Sequence, residues 1–330
     1  MSAKQTGRTF LIVAVLAAAF SATATAQAVP PPVAPPGVGP APVQPGAITG
    51  QTGRGGFAPV VIGPSAPVPP EVAMLRPSPA ELAQINAALT NFIQNDTSPA
   101  KPVLTTYSSI IMLQPPRLNT AATYTQTVQR QGPRHLGFVE TARQGNIDLL
   151  LHGDSITDFW AQNDENRQMF EKYFGGIKTA NFAISGDTTQ GVLWGLKNGE
   201  GQGFQPKAIM VMIGTNNTGP NTGPEIAEGI GAVVLEMRRD FPDAKILLLA
   251  IFPRSVPGDP VRDKIADINR TIARLDDQRH VFYFDIGAKF LDERGVFLPN
   301  AFRTDNLHPL ALGYDIWGAA VQAKLAELMK

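Results

Sequence analysis

From residue 147 onward the chain is punctuated by short apolar runs, at Ile147–His152, Ile177–Ala183, Ala208–Ile213, Ile246–Ile251 and Val281–Ile286. Each has strand length and lacks the in-and-out alternation of a half-exposed strand, so both of its faces must be covered. Segments with apolar residues at helical spacing separate the runs. The clearest spans 225–239, opened by Pro224-Glu225 and carrying Ile226, Ile230, Val233, Val234 and Met237 on one face. Another is expected over 310–329. Strands that alternate with helices predict an α/β fold with a parallel sheet covered on two sides. Such sheets gather their ligands at the carboxyl ends of the strands, so the residues just after each run are those placed to do chemistry.

The chain before residue 120 is patterned differently. Ser78-Pro79-Ala80-Glu81 sets a cap, a first-turn proline and a capping-box glutamate in order, and Leu82, Ile85, Leu89 and Phe92 follow at helical spacing. Residues 103–118 are β-prone but end in Pro115-Pro116, which predicts an irregular extension. Residues 30–70 hold 13 prolines and a single charged side chain, Arg54. Each proline removes a donor and fixes φ, so a linker or mobile arm is expected there. Met1 to Ala28 has the parts of a secretory leader: Lys4 and Arg8, then the apolar stretch Phe10 to Phe20, then Ala24-Thr25-Ala26 and Ala26-Gln27-Ala28 as cleavage sites. An apolar run of about eleven residues falls short of the roughly twenty needed to span a bilayer, so export with cleavage is expected rather than stable membrane insertion. The expected organisation is a signal peptide over 1–28, a Pro/Gly-rich disordered linker over 29–70, an N-terminal extension with one helix over 71–120, and a catalytic domain over 121–330.

Composition narrows the chemistry. Formal net charge is zero, and loss of Lys4 and Arg8 with the leader leaves 26 basic against 28 acidic residues. Nothing in that balance calls for nucleic acid or an anionic surface as partner. The absence of cysteine excludes disulfides, thiolate catalysis and Cys-ligated zinc. With no His-Glu-x-x-His and no carboxylate cluster at ligand spacing, no metal and no cofactor are expected.

The strand ends carry polar signatures: Gly153-Asp154-Ser155, Ser185-Gly186-Asp187, Gly214-Thr215-Asn216 and, before the last helix, Asp305-Asn306-Leu307-His308. Acyl transfer needs a nucleophile, a base, a group that orients the base, and donors for the oxyanion. Ser155 can attack, His308 can take its proton, and Asp305 can fix the imidazole tautomer. The backbone N–H groups of Ser155 and Gly186 and the Asn216 amide can face the oxyanion. Taken singly each motif is weak, since Asp154 or Ser155 can cap a helix and Asn216 can hold a turn. Their ordered placement at successive strand ends is what gives them weight. His152 is expected to be packed, His135 and His280 to lack a carboxylate partner, and Trp160 to be core or to line the cleft.

The same four blocks resemble those of the SGNH (GDSL-like) hydrolases. The longer stretches LHGDSITDFW (151–160), NFAISGDTTQ (181–190), LWGLKNGE (193–200) and IGTNN (213–217) look like the catalytic subunits of platelet-activating-factor acetylhydrolase and their bacterial relatives. The resemblance covers about residues 130–330. It implies a flavodoxin-like three-layer α/β/α sandwich with a five-stranded parallel sheet, no metal, and ester hydrolysis through an acyl-enzyme. By the match, Ser155 is nucleophile, His308 base and Asp305 its partner, with Ser155, Gly186 and Asn216 forming the oxyanion hole. Ile156, Thr215 and Leu307 match the positions that crowd the acyl pocket, which implies a preference for acetyl or other very short acyl groups. A small ester or acetylated glycan is the expected substrate, handled by an exported enzyme. A lysophospholipase, a thioesterase or a general short-chain esterase is the alternative within the class. A non-catalytic envelope-binding module is the alternative outside it. The family often forms homodimers, but the sequence fixes no interface.

Overall fold

The computed structural model describes residues 58–330; the expected leader and residues 29–57 of the proline-rich stretch lie outside it. The described residues form two compact units, one of residues 76–116 and the other of residues 58–75 with 117–330.

The smaller unit opens with α1 (Pro79–Asn95). Its Ser78 cap accepts from the Glu81 N–H at 3.2 Å while Glu81 accepts from the Ser78 N–H at 2.8 Å, the reciprocal capping box the sequence predicts. Two short helices follow, α2 (Lys101–Thr106) and α3 (Ser108–Ile111), where an irregular extension was expected. Val103, Leu104, Tyr107, Ile110 and Ile111 recur at intervals of three and four, a helical spacing that the β-branched Val103, Ile110 and Ile111 conceal. The Asn86 side chain binds both the N–H and the carbonyl of Leu113, at 2.9 Å each, which ties the end of the unit back to α1.

In the larger unit the elements run α4 (Pro133–Gln144), β1 (Leu149–Gly153), α5 (Ser155–Asp158), α6 (Asp164–Phe174), β2 (Thr179–Asn181), α7 (Thr189–Gly195), β3 (Ala208–Met212), α8 (Gly223–Asp240), β4 (Lys245–Leu249), α9 (Pro260–Ile272), β5 (Val281–Phe284) and α10 (Ala311–Leu328). All strand pairs are parallel and the order is β2-β1-β3-β4-β5. Successive strand residues feed opposite faces. Leu150, Ile209, Val211, Ile246 and Leu248 join Val192, Ile226, Ile230, Val233, Met237, Ile265 and Ile268 on one side. Leu149, Leu151, Met210, Met212, Leu247 and Leu249 join Trp160, Phe174, Tyr314, Trp317 and Val321 on the other. The result is the three-layer α/β/α sandwich, its central strands apolar on both faces because both are covered.

Part of the proline-rich stretch is not a free linker. Ser65 bridges to Thr123, with Ala66 N–H on Ala122 O and Tyr124 N–H on Pro64 O at 2.8 and 2.9 Å. Ala66 and Val72 are buried. Proline forbids a regular ladder, but isolated bonds and side-chain burial between the prolines suffice to dock an extended segment. Among the described residues no helix is long and apolar enough to cross a membrane.

Candidate active site

The site is built on the turn between β1 and α5. Gly153 closes the strand where a Cβ would come within 2.4 Å of the Met212 carbonyl and 2.6 Å of Thr157 Oγ1, so only glycine fits. Asp154 caps α5, its Oδ1 accepting from the Ile156 N–H at 3.0 Å. Ser155 thus begins the helix, where backbone N–H groups have no intrahelical acceptor. Tyr314 Oη donates to the Ile156 carbonyl at 2.8 Å and anchors this turn to α10.

His308 arrives from the loop before α10. That loop folds on itself: the Arg303 N–H binds His308 O at 2.9 Å and the Leu310 N–H binds Ala301 O at 2.9 Å. His308 Nε2 lies 2.9 Å from Ser155 Oγ, and its Nδ1 lies 2.7 Å from Asp305 Oδ2. The other Asp305 oxygen accepts from the Leu307 and His308 N–H groups at 2.9 and 3.0 Å. Partial burial works against ionising Asp305, but the His308 imidazole and these two backbone donors outweigh it and hold the carboxylate below its usual range. Phe159 lies against the imidazole, ring centres 5.1 Å apart.

Gly186 and Asn216 come from the ends of β2 and β3. Gly186 has φ +79°, a left-handed conformation that favours glycine. The Asn216 amide donates one hydrogen to the Asp187 carbonyl at 2.8 Å, which fixes the amide and leaves its second hydrogen for another acceptor. Ile156 and Thr215 are buried, and Leu307 packs against the cluster that holds Ile156. Arg254 donates to the Thr215 carbonyl at 3.2 Å and to its hydroxyl at 3.3 Å.

One expectation about the remaining residues is corrected, and two hold. His135 has a carboxylate partner: its Nδ1 is 2.7 Å from Glu200 Oε1, across 65 residues of sequence. His152 is packed as expected, but 3.6 Å from the same carboxylate. Trp160 is fully buried among Phe170, Phe174, Tyr314 and Trp317 and lines no cleft. The sequence reading missed a buried charge cluster beneath Gly186, in which Arg130 meets Asp187 and Glu200. Burial alone would raise Glu200, yet the His135 bond, the nearby His152 and Arg130 bring it down to about 2.

Asp154 behaves oppositely. Complete burial pushes it up to about 7, with the Ile156 N–H only partly opposing, and its Oδ2 has no hydrogen-bond partner. A carboxyl whose pKa is higher folded than unfolded binds a proton in the folded state that the unfolded chain has already lost. The contribution of Asp154 to stability should therefore fall as pH rises from about 4 to about 7, and stay flat above that. Asp154→Asn keeps the cap and removes the ionisation. Its stability relative to the parent should be near equal at pH 4 and gain about 2–4 kcal/mol by pH 8. Denaturant unfolding at the two pH values checks this, and a pH-independent difference would refute it.

The all-parallel sheet of order β2-β1-β3-β4-β5 carries a serine, an imidazole and a carboxylate in line at its carboxyl edge, an arrangement suited to hydrolysis. The model of the GDSL-like lipase/acylhydrolase family matches residues 151–316, and the chain belongs to that family. It is 37% identical over 163 residues to platelet-activating factor acetylhydrolase IB subunit alpha2 of Gallus gallus, covering 49% of this chain and 69% of that protein. To subunit alpha1 of Bos taurus it is 30% identical over 196 residues, covering 59% and 82%. Among solved structures, a catalytic mutant of an acetylxylan esterase from Geobacillus stearothermophilus aligns with a TM-score of 0.44 at 21% identity, over 56% of this chain and 94% of the other.

Proposed function

We propose that this chain is an exported serine esterase that cleaves acetyl and other very short acyl esters, with an O-acetylated glycan as its natural substrate. The observation that carries this reading is the continuous relay from Ser155 Oγ through His308 to Asp305, at 2.9 and 2.7 Å. In this mechanism His308 Nε2 takes the Ser155 proton as Oγ attacks the ester carbonyl. The tetrahedral oxyanion receives hydrogen bonds from the Ser155 and Gly186 N–H groups and the Asn216 amide. His308 then returns the proton to the departing alcohol, leaving Ser155 acylated. A water, deprotonated by His308, repeats the sequence and releases the acid. Asp305 stays ionised throughout and stabilises the imidazolium.

The preference for a short acyl group is supported by the three positions that match the family's acyl pocket: Ile156 and Thr215 are buried next to Ser155 and Asn216 in sequence, and Leu307 packs against the cluster that holds Ile156. Two relatives carry the name acetylhydrolase, which agrees with an acetyl group. The leader-like residues 1–28 and the balanced charge support export and a neutral glycan substrate. Nitrophenyl acetate should be hydrolysed at least about tenfold faster than nitrophenyl octanoate, since each misfitted methylene is worth roughly 1–3 kcal/mol. Faster octanoate turnover would favour the lysophospholipase or thioesterase reading. Acetate release from a panel of acetylated glycans, with Ser155→Ala as the control, tests the substrate class. Release from none of them would end the glycan assignment.

A further inference from the structure

The buried arginine beneath the site has no part in the relay, yet it touches the residue on which two oxyanion donors depend. Arg130 lies on the turn Val128–Gln131, outside the region matched by the family model, and its side chain is fully buried. Its Nε donates to Asp187 Oδ2 at 2.8 Å, and its Nη1 binds both oxygens of Glu200. Asp187 Oδ1 also accepts from the Thr188 N–H at 2.9 Å and from Thr127 Oγ1 at 3.3 Å. The Asp187 carboxylate is therefore held from several sides, and the backbone that carries it cannot turn freely.

That backbone matters in two ways. Gly186 sits inside the turn that the Asp187 N–H closes on the Ile184 carbonyl at 3.1 Å, so the Gly186 N–H is set by the same turn. The Asp187 carbonyl accepts one Asn216 hydrogen at 2.8 Å and so decides where the other hydrogen points. Gln129, next to Arg130, approaches Gly186 as well: its Nε2 lies 3.2 Å from where a Cβ at Gly186 would stand. One stretch of chain thus reaches Gly186 through Gln129 and the Asp187 carboxylate through Thr127 and Arg130.

We propose that Arg130 is a positioning residue for the oxyanion hole, acting through Asp187 on Gly186 and Asn216. This rests on the esterase reading above. The guanidinium suits the task because its planar fork engages two carboxylates at once, which a lysine ammonium cannot reproduce at the same positions. Donors misaimed by a fraction of an ångström lose their stabilisation of the transition state while substrate binding is largely kept.

The test uses the full chain, two single variants and their combination. Arg130→Lys keeps the charge and loses the fork. Asp187→Ala removes the carboxylate and leaves Arg130 paired with Glu200. Turnover of nitrophenyl acetate is expressed per serine labelled by a fluorophosphonate, so that misfolded molecules do not count. For each variant kcat should fall about 10- to 100-fold with KM within about threefold. Affinity for a trifluoromethyl ketone, which mimics the tetrahedral intermediate, should fall by the same factor as kcat/KM. The double variant should lose no more than the worse single one, because both act through one link. If Arg130→Lys yields no folded protein, Asp187→Ala decides alone. Labelled enzyme with parental kcat and parental ketone affinity would overturn the positioning role. Loss of ester hydrolysis in the parent itself would instead overturn the esterase reading.

Discussion

Ser155→Ala is expected to lower acetyl-ester turnover by about 10⁴-fold or more. Without Oγ, His308 Nε2 has no hydroxyl to activate 2.9 Å away, and no acyl-enzyme can form. What survives is the binding of the ester and the oxyanion donors, which in such sites retain only a small rate enhancement over water. The fold should be indifferent to the change. Ser155 is buried, but it is the first residue of its short helix; Asp154 supplies the cap and Tyr314 holds the Ile156 carbonyl. Removing one oxygen leaves a negligible void, so stability should move by less than about 1 kcal/mol. The measurement is kcat for nitrophenyl acetate together with a thermal melt of each protein. A correctly folded Ser155→Ala enzyme working within tenfold of the parent would remove serine catalysis from consideration.

The strands were legible because a sheet buried on both faces must be written in continuous apolar runs. Leu149 to Leu151, Ile209 to Met212 and Ile246 to Leu249 need no partner to be recognised. The site blocks were legible for a related reason. The parallel topology confines chemistry to the residues after each run, so a search of a few short stretches reaches Ser155, Gly186 and Asn216. The His308 loop had no such strand to mark it and was found from its Asp-x-x-His spacing.

What could not be read depends on partners distant in sequence. Arg130, in a polar stretch, reads like any surface arginine; its burial is decided by Asp187 and Glu200, 57 and 70 residues away. His135 was misread for the same reason, since its partner Glu200 closes a stretch whose pattern shows only a helix and a turn. Trp160, by contrast, lies in the core as expected, where the turn Phe159–Ala161 sets it against α10. Composition favoured a linker over a docked arm for residues 64–70 because proline content reports what backbone pairing is impossible, and says nothing about whether an apolar neighbour such as Ala66 finds a groove. A search for buried charge would have needed one further premise, that an arginine near Gly186 could serve the oxyanion block.

Asp305→Asn should be the most damaging near-isosteric change in the relay, lowering kcat by about 10²- to 10⁴-fold. The reason lies in which atom each oxygen serves. Asp305 Oδ1 accepts from the Leu307 and His308 N–H groups, so an asparagine must keep its carbonyl there. Its NH₂ then faces His308 Nδ1, where Oδ2 had been at 2.7 Å. Two donors cannot meet, so the imidazole takes the tautomer protonated on Nε2 and presents a hydrogen to Ser155 Oγ instead of a lone pair. The base is then blocked by its own proton. Because the Asp305 side chain is 43% exposed, water can replace part of the lost interaction, and the effect should lie toward the lower end of that range. Nitrogen-15 shifts of the His308 ring should report the Nε2–H form in the variant and the Nδ1–H form in the parent. Turnover within threefold of the parent, or an unchanged tautomer, would mean that Asp305 does not set the state of the base.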